Sequence, residues 1–125
     1  MEIILTVEDD EDVRDYIKMY LLEWGHTVIE AGSGEGALLA LDRLIPDLVL
    51  LDIGLPDLSG FDVVKKIAGD EKYEGLKIVA LTAADDDESR DHANELGFAG
   101  YLTKPIIDPD DIRVMMECHL PADRL

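Results

Sequence analysis

The feature that most constrains this chain is an apolar run that ends in a single acid, within residues 48–60. Four apolar residues run directly into Asp52, and a loop rich in Gly, Pro, Asp and Ser follows at once. A short apolar run closed by turn residues is typical of a β-strand that is buried on both faces of a sheet. Asp52 is therefore expected at the carboxyl end of a central strand, where open α/β sheets bind ligands. Because a buried carboxylate is costly without a partner, other side chains should meet it.

The rest of the chain alternates strand patterns with helix patterns. Apolar runs over residues 3–7, 27–30, 77–82 and 100–103 predict four further strands. Helices are predicted over about 10–24, from a cap at Ser33 to Pro46, and over 61–68, 83–96 and 109–120. Such alternation predicts an α/β fold with a five-stranded parallel sheet, a (βα)5 three-layer sandwich with right-handed crossovers. We expect one domain over residues 1–125, of which 121–125 form a short tail.

Helical spacing also predicts which side chains face the core and which cap the helices. Asp10 is expected to be a capping residue rather than a ligand, and Ser33 is expected to cap the second helix. Asp108 and Pro109 are suited to the start of the last helix. The residues expected to face inward from the first and third helices are Val13, Ile17, Leu21, Trp24, Phe61, Val64 and Ile67.

Composition excludes several classes of partner. The formal net charge of −18 argues against direct binding of nucleic acid or of an anionic membrane. Solvated surface, a metal site and adaptation to high salt remain alternative sources of this charge. The single cysteine, Cys118, allows no internal disulfide and favours a reducing compartment. Because no apolar run approaches the roughly 20 residues of a bilayer span, and no charged and apolar leader is present, we expect a cytoplasmic protein.

Polar residues follow the predicted strands at one edge of the sheet. Glu8 and Asp9 follow the first strand, Asp52 ends the third, Thr82 ends the fourth, and Lys104 follows the fifth. The carboxyl ends of parallel strands share one edge, so these side chains should converge. Three neighbouring carboxylates cannot all stay ionised without compensation. A hard cation such as Mg²⁺, which prefers oxygen ligands, would provide it.

This set of groups fits phosphoryl chemistry. A divalent cation would draw in phosphoryl oxygens, Lys104 would bind a further oxygen, and the Thr82 hydroxyl would donate a hydrogen bond. Asp52 would then be the nucleophile, and the product would be an aspartyl phosphate.

The sequence resembles the receiver domains of two-component response regulators over essentially its whole length. The motifs that carry the resemblance are Val7-Glu8-Asp9-Asp10, Leu51-Asp52-Ile53-Gly54-Leu55-Pro56 with Ser59-Gly60, Leu81-Thr82-Ala83, and Gly100-Tyr101-Leu102-Thr103-Lys104-Pro105. Each motif alone is weak, but four in this order and spacing are specific. The resemblance implies the flavodoxin-like strand order 2-1-3-4-5 and a cis peptide bond before Pro105.

The resemblance also assigns roles to individual residues. By it, Asp52 is the phosphoacceptor, and Thr82 and Lys104 take part in the reaction. The residues implied to bind Mg²⁺ are Glu8, Asp9, Asp52 and Gly54, the last through its backbone carbonyl. Thr82 is implied to be the hydroxyl of a switch, and Tyr101 the aromatic ring that follows it.

The function so implied is a phosphorylation-dependent switch. A sensor histidine kinase or a histidine phosphotransfer protein would donate the phosphoryl group from a phosphohistidine. The added charge would draw Thr82 and Lys104 inward, Tyr101 would follow, and the surface around the fourth helix, fifth strand and fifth helix would change. The expected output is binding of a downstream protein, with a phosphorylation-dependent dimer left open. The chain would catalyse only its own phosphorylation and dephosphorylation.

Four alternatives remain open at this point. A hydrolase of the haloacid-dehalogenase type would need a second Asp where this chain has Gly54. A flavodoxin-like binder would need a first loop rich in Ser, Thr and Gly instead of Glu8-Asp9-Asp10. A receiver-like module without phosphorylation would not need the full set of polar residues. Finally, the chain could be a receiver excised from a larger response regulator or hybrid kinase. Ala99 and Gly100, which stand where transcriptional regulators typically have an acidic pair, favour a stand-alone or excised receiver over a complete transcription factor.

Overall fold

The computed structural model describes residues 2–83, 87–106 and 108–119. The strands are β1 (Ile3–Val7), β2 (Thr27–Ala31), β3 (Leu48–Asp52), β4 (Lys77–Thr82) and β5 (Gly100–Thr103). The α-helices are α1 (Glu11–Glu23), α2 (Gly34–Arg43), α3 (Gly60–Ile67), α4 (Asp87–Glu95) and α5 (Pro109–His119). Among the helices of these residues, none combines the length and the apolar character that crossing a bilayer requires.

The strands form one parallel sheet in the order β2-β1-β3-β4-β5, which confirms the predicted fold class and strand order. β3 occupies the centre and is buried along its whole length, with Asp52 only 2% exposed. Val7 of β1 is level with Leu51, and Asp52 is level with Leu81 of β4. The carboxyl ends of these three strands therefore lie side by side at one edge of the sheet.

Alternate residues of the central strands face two different helical layers, as the pleat of a strand requires. Leu5, Val49 and Leu51 pack with the buried residues of α2, α3 and α4. Leu48 and Leu50 face the opposite layer, which α1 and α5 form. Of the positions predicted to face inward, Ile17, Leu21, Val64 and Ile67 are buried, whereas Val13, Trp24 and Phe61 are partly buried against the core.

The first two helices begin at side-chain caps. The carboxylate of Asp10 accepts hydrogen bonds from the backbone N–H groups of Asp12 and Val13, so its predicted capping role is confirmed. The hydroxyl of Ser33 accepts from the N–H of Gly36 at 3.0 Å, as predicted for α2. Each cap satisfies donors that the first turn of a helix leaves without an intrahelical partner.

Several boundaries differ from the prediction. α2 ends before Pro46 is reached: Leu44 is its C-terminal cap, has extended backbone and is 45% exposed. A short 3₁₀ turn, Glu71–Tyr73, lies between α3 and β4, where no helix is predicted. The described part of the fourth helix begins at Asp87 instead of Ala83, and predictions for residues 84–86 and 120–125 lie outside the described residues.

Candidate functional site

The polar residues predicted to converge line one cavity at the carboxyl edge of the sheet. Its volume is about 820 Å³, and it opens between the ends of β1, β3, β4 and β5. The predicted site residues that line it are Glu8, Asp9, Asp52, Gly54, Thr82 and Lys104. Tyr101 is half-buried and does not belong to the cavity lining.

Lys104 joins two buried carboxylates at the centre of this cavity. Its Nζ donates to Glu8 Oε1 at 2.8 Å and to Asp52 Oδ2 at 3.0 Å. The Lys104 side chain is 20% exposed, whereas those of Glu8 and Asp52 are 0% and 3% exposed. Charge-assisted hydrogen bonds of this length are strong, and they compensate for the burial of the two acids. The peptide bond that follows Lys104 is cis, as the resemblance implies.

The acidic groups of Glu8, Asp9 and Asp52 form a compact cluster. One carboxylate oxygen of each lies within 4.8 Å of the others, and Asp9 is exposed while its two neighbours are buried. Within the described residues, Glu8 Oε2 is a buried oxygen that takes part in no hydrogen bond. A buried oxygen without a partner beside two more carboxylates is a donor set that fits Mg²⁺.

Asp52 is held in its ionised form. Burial alone would raise its pKa, but the neighbouring Glu8 carboxyl group and hydrogen bonds from the backbone N–H of Gly54 and from Lys104 outweigh burial and lower the pKa below its ordinary value. The Gly54 N–H donates to Asp52 Oδ1 at 2.9 Å. An ionised carboxylate at an open cavity is available as a nucleophile.

The pKa of Glu8 is shifted in the opposite direction, above its ordinary value. Burial, the largest cause, and the neighbouring Asp52 carboxylate together raise the pKa of Glu8 from 4.5 to about 8, against the opposing effect of Lys104. Two carboxyl groups this close favour one shared proton, so their environments drive their pKa values apart.

These shifts predict how the stability of the metal-free protein depends on pH. Because the pKa of Glu8 is about 8 in the folded chain and near 4.5 when unfolded, the folded state binds the extra proton between these values. The free energy of unfolding should therefore fall as pH rises from 5.5 to 8.5. Urea denaturation in EDTA would measure it, and Glu8→Gln should flatten this part of the profile. An equally steep decline in Glu8→Gln would contradict the assignment to Glu8.

A sequence model of the response regulator receiver domain matches residues 4–117, which is most of the chain. The chain belongs to the receiver domain family. The match spans the strands that deliver the acidic cluster and Lys104 to the cavity. Receiver domains of two-component response regulators are signalling modules, and the acidic cavity described above is compatible with Mg²⁺ and with a phosphorylated aspartate.

Curated relatives differ in how much of their length this receiver domain covers. A 14.6 kDa protein of Leptolyngbya boryana is 36% identical over 91% of this chain and 87% of its own length. The transcriptional regulatory protein AfsQ1 of Streptomyces coelicolor is 37% identical over 85% of this chain, but over only 46% of its own length. The chain thus spans about half the length of such transcriptional relatives.

Solved structures of receiver proteins share the fold almost throughout. The chemotaxis protein CheY4 of Vibrio cholerae has a TM-score of 0.89 at 26% identity and covers 96% of this chain and 99% of its own. The response regulator TrrA of Thermotoga maritima, solved in complex with Mg²⁺-BeF, has a TM-score of 0.83 at 31% identity and covers 96% of this chain and 100% of its own.

The two residues expected to form the receiver switch lie on neighbouring strands. Thr82 is buried at the end of β4 and lines the cavity, while Tyr101 lies on β5 level with Ala80. The guanidinium carbon of Arg90, on α4, lies 4.6 Å from the centroid of the Tyr101 ring. This cation–π contact joins β5 to α4, a link that the sequence did not indicate.

The loop that follows Asp52 is tied to α2 as well as to the cavity. Asp57 accepts hydrogen bonds from the backbone N–H groups of Gly34 and Glu35, both at 2.9 Å. These bonds lower the pKa of Asp57, because they favour its charged form. At Gly60 an added Cβ would lie 2.7 Å from the backbone oxygen of Asp52, so only glycine fits there. Neither role was predicted from the sequence.

Proposed function

We propose that this receiver domain is a switch in which Asp52 accepts a phosphoryl group from a partner phosphohistidine. The observation that carries the proposal is the meeting of Lys104 with Glu8 and Asp52, beside Asp9, in an open cavity at the strand ends. The proposed donor is a sensor histidine kinase or a histidine phosphotransfer protein. The proposed receiver of the signal is a downstream protein.

In the proposed reaction an ionised Asp52 oxygen attacks phosphorus, the bond from phosphorus to the histidine nitrogen breaks, and the nitrogen leaves as neutral imidazole once protonated. The lowered pKa of Asp52 keeps the nucleophile charged. Lys104 supplies a fixed positive charge for a phosphoryl oxygen. Mg²⁺, held by Glu8, Asp9, Asp52 and the Gly54 carbonyl, would neutralise charge on the phosphoryl oxygens. Hydrolysis of the aspartyl phosphate by water would return the domain to its starting state.

The proposed switch begins with a change of charge at Asp52. We expected this change to draw both Thr82 and Lys104 inward, yet Lys104 already lies 3.0 Å from Asp52. We therefore assign the movement to Thr82 and Tyr101, with α4 responding through the Arg90 contact. This assignment makes the α4, β5 and α5 surface the output of the switch.

A phosphorylation-dependent dimer is the second candidate for the output. The acidic pair typical of dimer-forming regulators is replaced by Ala99 and Gly100. An added Cβ at Gly100 would lie 2.5 Å from the sulfur of Met115, so a larger residue there would require the Met115 side chain to shift. The absence of this acidic pair at positions 99 and 100 favours recruitment of a different protein over pairing of two copies. Direct nucleic-acid binding does not belong to the proposal, given the net charge of −18.

The proposal includes the extent and location of the domain. We propose one receiver domain across the chain, acting alone or as the receiver part of a larger regulator, as in the transcriptional relatives. A cytoplasmic location is proposed from the single cysteine and from the need to meet a kinase partner. Turnover of a phosphomonoester is not part of the proposal, because Gly54 cannot act as a general acid.

The chemistry can be tested with a small-molecule phosphoryl donor. The wild-type chain incubated with acetyl phosphate or phosphoramidate and Mg²⁺ should gain one phosphoryl group by intact mass, and EDTA should prevent the gain. Absence of any gain with either donor, or an equal gain in EDTA, would contradict the proposed reaction.

A further inference from the structure

Arg14, on the first turns of α1, reaches back to the end of β1. Its Nη1 donates to the backbone carbonyl oxygen of Glu8 at 2.8 Å. Glu8 directly follows the last residue of β1, so this carbonyl lies just beyond the end of the strand. The backbone that carries Glu8 into the cavity is therefore anchored by a charged side chain from another element.

The guanidinium of Arg14 is itself held in place by two features of the β2 edge. Its Nε lies 3.9 Å from Glu30 Oε1, and the Arg14 side chain is only 20% exposed. An added Cβ at Gly32 would lie 3.2 Å from Nη1, so the glycine leaves the space that the guanidinium fills. Lys18, one turn further along α1, contacts the other oxygen of Glu30 at 3.5 Å.

Glu8 is thus fixed through both of its main-chain polar groups. Its N–H donates to the carbonyl of Ala31 at 3.0 Å, while its carbonyl accepts from Arg14. The side chain of Glu8 and the next residue, Asp9, both contribute oxygens to the acidic cluster. The direction in which these two carboxylates point depends on the backbone that Arg14 holds.

We infer that Arg14 is a positioning residue for the acidic cluster and sets its affinity for Mg²⁺ without contacting the ion. The inference rests on the proposed function, because it assumes that the cluster binds Mg²⁺. In other proteins, substitution of a residue that hydrogen-bonds to the metal ligands without touching the metal typically weakens metal affinity by about 10- to 100-fold.

A charge effect of Arg14 and a positioning effect would change the affinity for Mg²⁺ in opposite directions when Arg14 is removed. Removing a positive charge near a group of carboxylates should strengthen their attraction for a divalent cation. If Arg14 acted through its charge alone, Arg14→Ala would bind Mg²⁺ more tightly. If it acts by positioning Glu8, the same substitution should weaken binding in spite of the lost charge.

Isothermal titration with MgCl₂ would compare wild type with Arg14→Ala, Arg14→Lys and Lys18→Ala. We expect Arg14→Ala to raise the Kd about tenfold, at the lower end of the known range for such partners. Arg14→Lys should lie between Arg14→Ala and wild type, because it keeps the charge but loses the forked geometry of the guanidinium. Lys18→Ala removes the same charge and the other contact to Glu30, and its Kd should match wild type or fall slightly.

Circular dichroism and thermal unfolding would establish that each variant is folded before its Kd is interpreted. If Arg14→Ala does not fold, the test uses Arg14→Lys. Because this variant keeps the positive charge, weaker Mg²⁺ binding would then come from the lost hydrogen-bond geometry of the guanidinium. A Kd for Arg14→Ala equal to or below that of wild type would overturn the inference and leave the proposed function standing. If only Arg14→Lys folds, a Kd for that variant no higher than that of wild type would do the same. Absence of Mg²⁺ binding by wild type would overturn the proposed function and the inference together.

Discussion

Asp52→Asn is expected to abolish the gain of one phosphoryl group from acetyl phosphate and Mg²⁺. The amide that replaces the carboxylate has no negative charge and is a poor nucleophile, while its size and its acceptor oxygen are retained. Glu8 is not expected to take over as nucleophile, because it is fully buried and one of its carboxylate oxygens accepts a hydrogen bond from Lys104. Intact mass spectrometry after incubation would measure the loss.

The matched control for this substitution is Asp15→Asn, an identical change at an exposed residue of α1. The control should gain the phosphoryl group as wild type does. Because the amide of Asp52→Asn can still accept from the Gly54 N–H, the variant should remain folded by circular dichroism. Persistent phosphorylation of Asp52→Asn at the wild-type rate would place the phosphoacceptor at another residue.

Lys104→Met is expected to lower the free energy of unfolding by about 3 kcal/mol at pH 7, at the lower end of the cost of breaking a buried ion pair. Methionine retains much of the volume of lysine but leaves Glu8 and Asp52 buried together without their cation. Lowering the pH should reduce the loss, because protonation of the buried carboxyl groups removes negative charge that has lost its cation. Urea denaturation at pH 5.5 and pH 7.5, in EDTA, would measure both effects.

Lys72→Met provides the control for the loss of a lysine. Lys72 pairs with Asp42 at 3.3 Å, but both side chains are exposed, at 39% and 80%. An exposed pair of this kind contributes about 0–1 kcal/mol, so the control should change stability little. If Lys104→Met and Lys72→Met lower the free energy of unfolding equally, the burial of the Lys104 ion pairs does not explain the loss of stability.

The sheet and the meeting of its polar residues could be predicted because both depend on local patterns. The apolar run of β3 indicates burial on both faces, and a parallel sheet brings Asp52, Thr82 and Lys104 to one edge whatever their distance in sequence. Helical spacing likewise predicted the buried residues Ile17 and Leu21 of α1. Such predictions need only the period of the hydrophobic pattern and the direction of the strands.

The contacts that orient the site could not be predicted, because they depend on how loops and helices pack on the finished sheet. Arg14 and Asp57 are charged residues in polar surroundings, and nothing in their spacing distinguishes them from solvated surface. Their partners, the carbonyl of Glu8 and the start of α2, become neighbours only after the crossovers close. The pairing of Lys104 with Glu8 was also missed, since the predicted role of Lys104 concerned a phosphoryl oxygen.

The capping of α2 by Asp57 has a consequence for how substitutions in this loop are interpreted. A loop residue whose carboxylate holds the start of α2 can alter the reaction at Asp52 by shifting the chain between them. In a mutational scan, sensitivity at Asp57 would then look like that of an active-site residue, although its carboxylate holds a neighbouring helix in place. To tell whether Asp57 acts through α2 or in the reaction itself, the order of α2 has to be measured together with the rate of phosphorylation at Asp52.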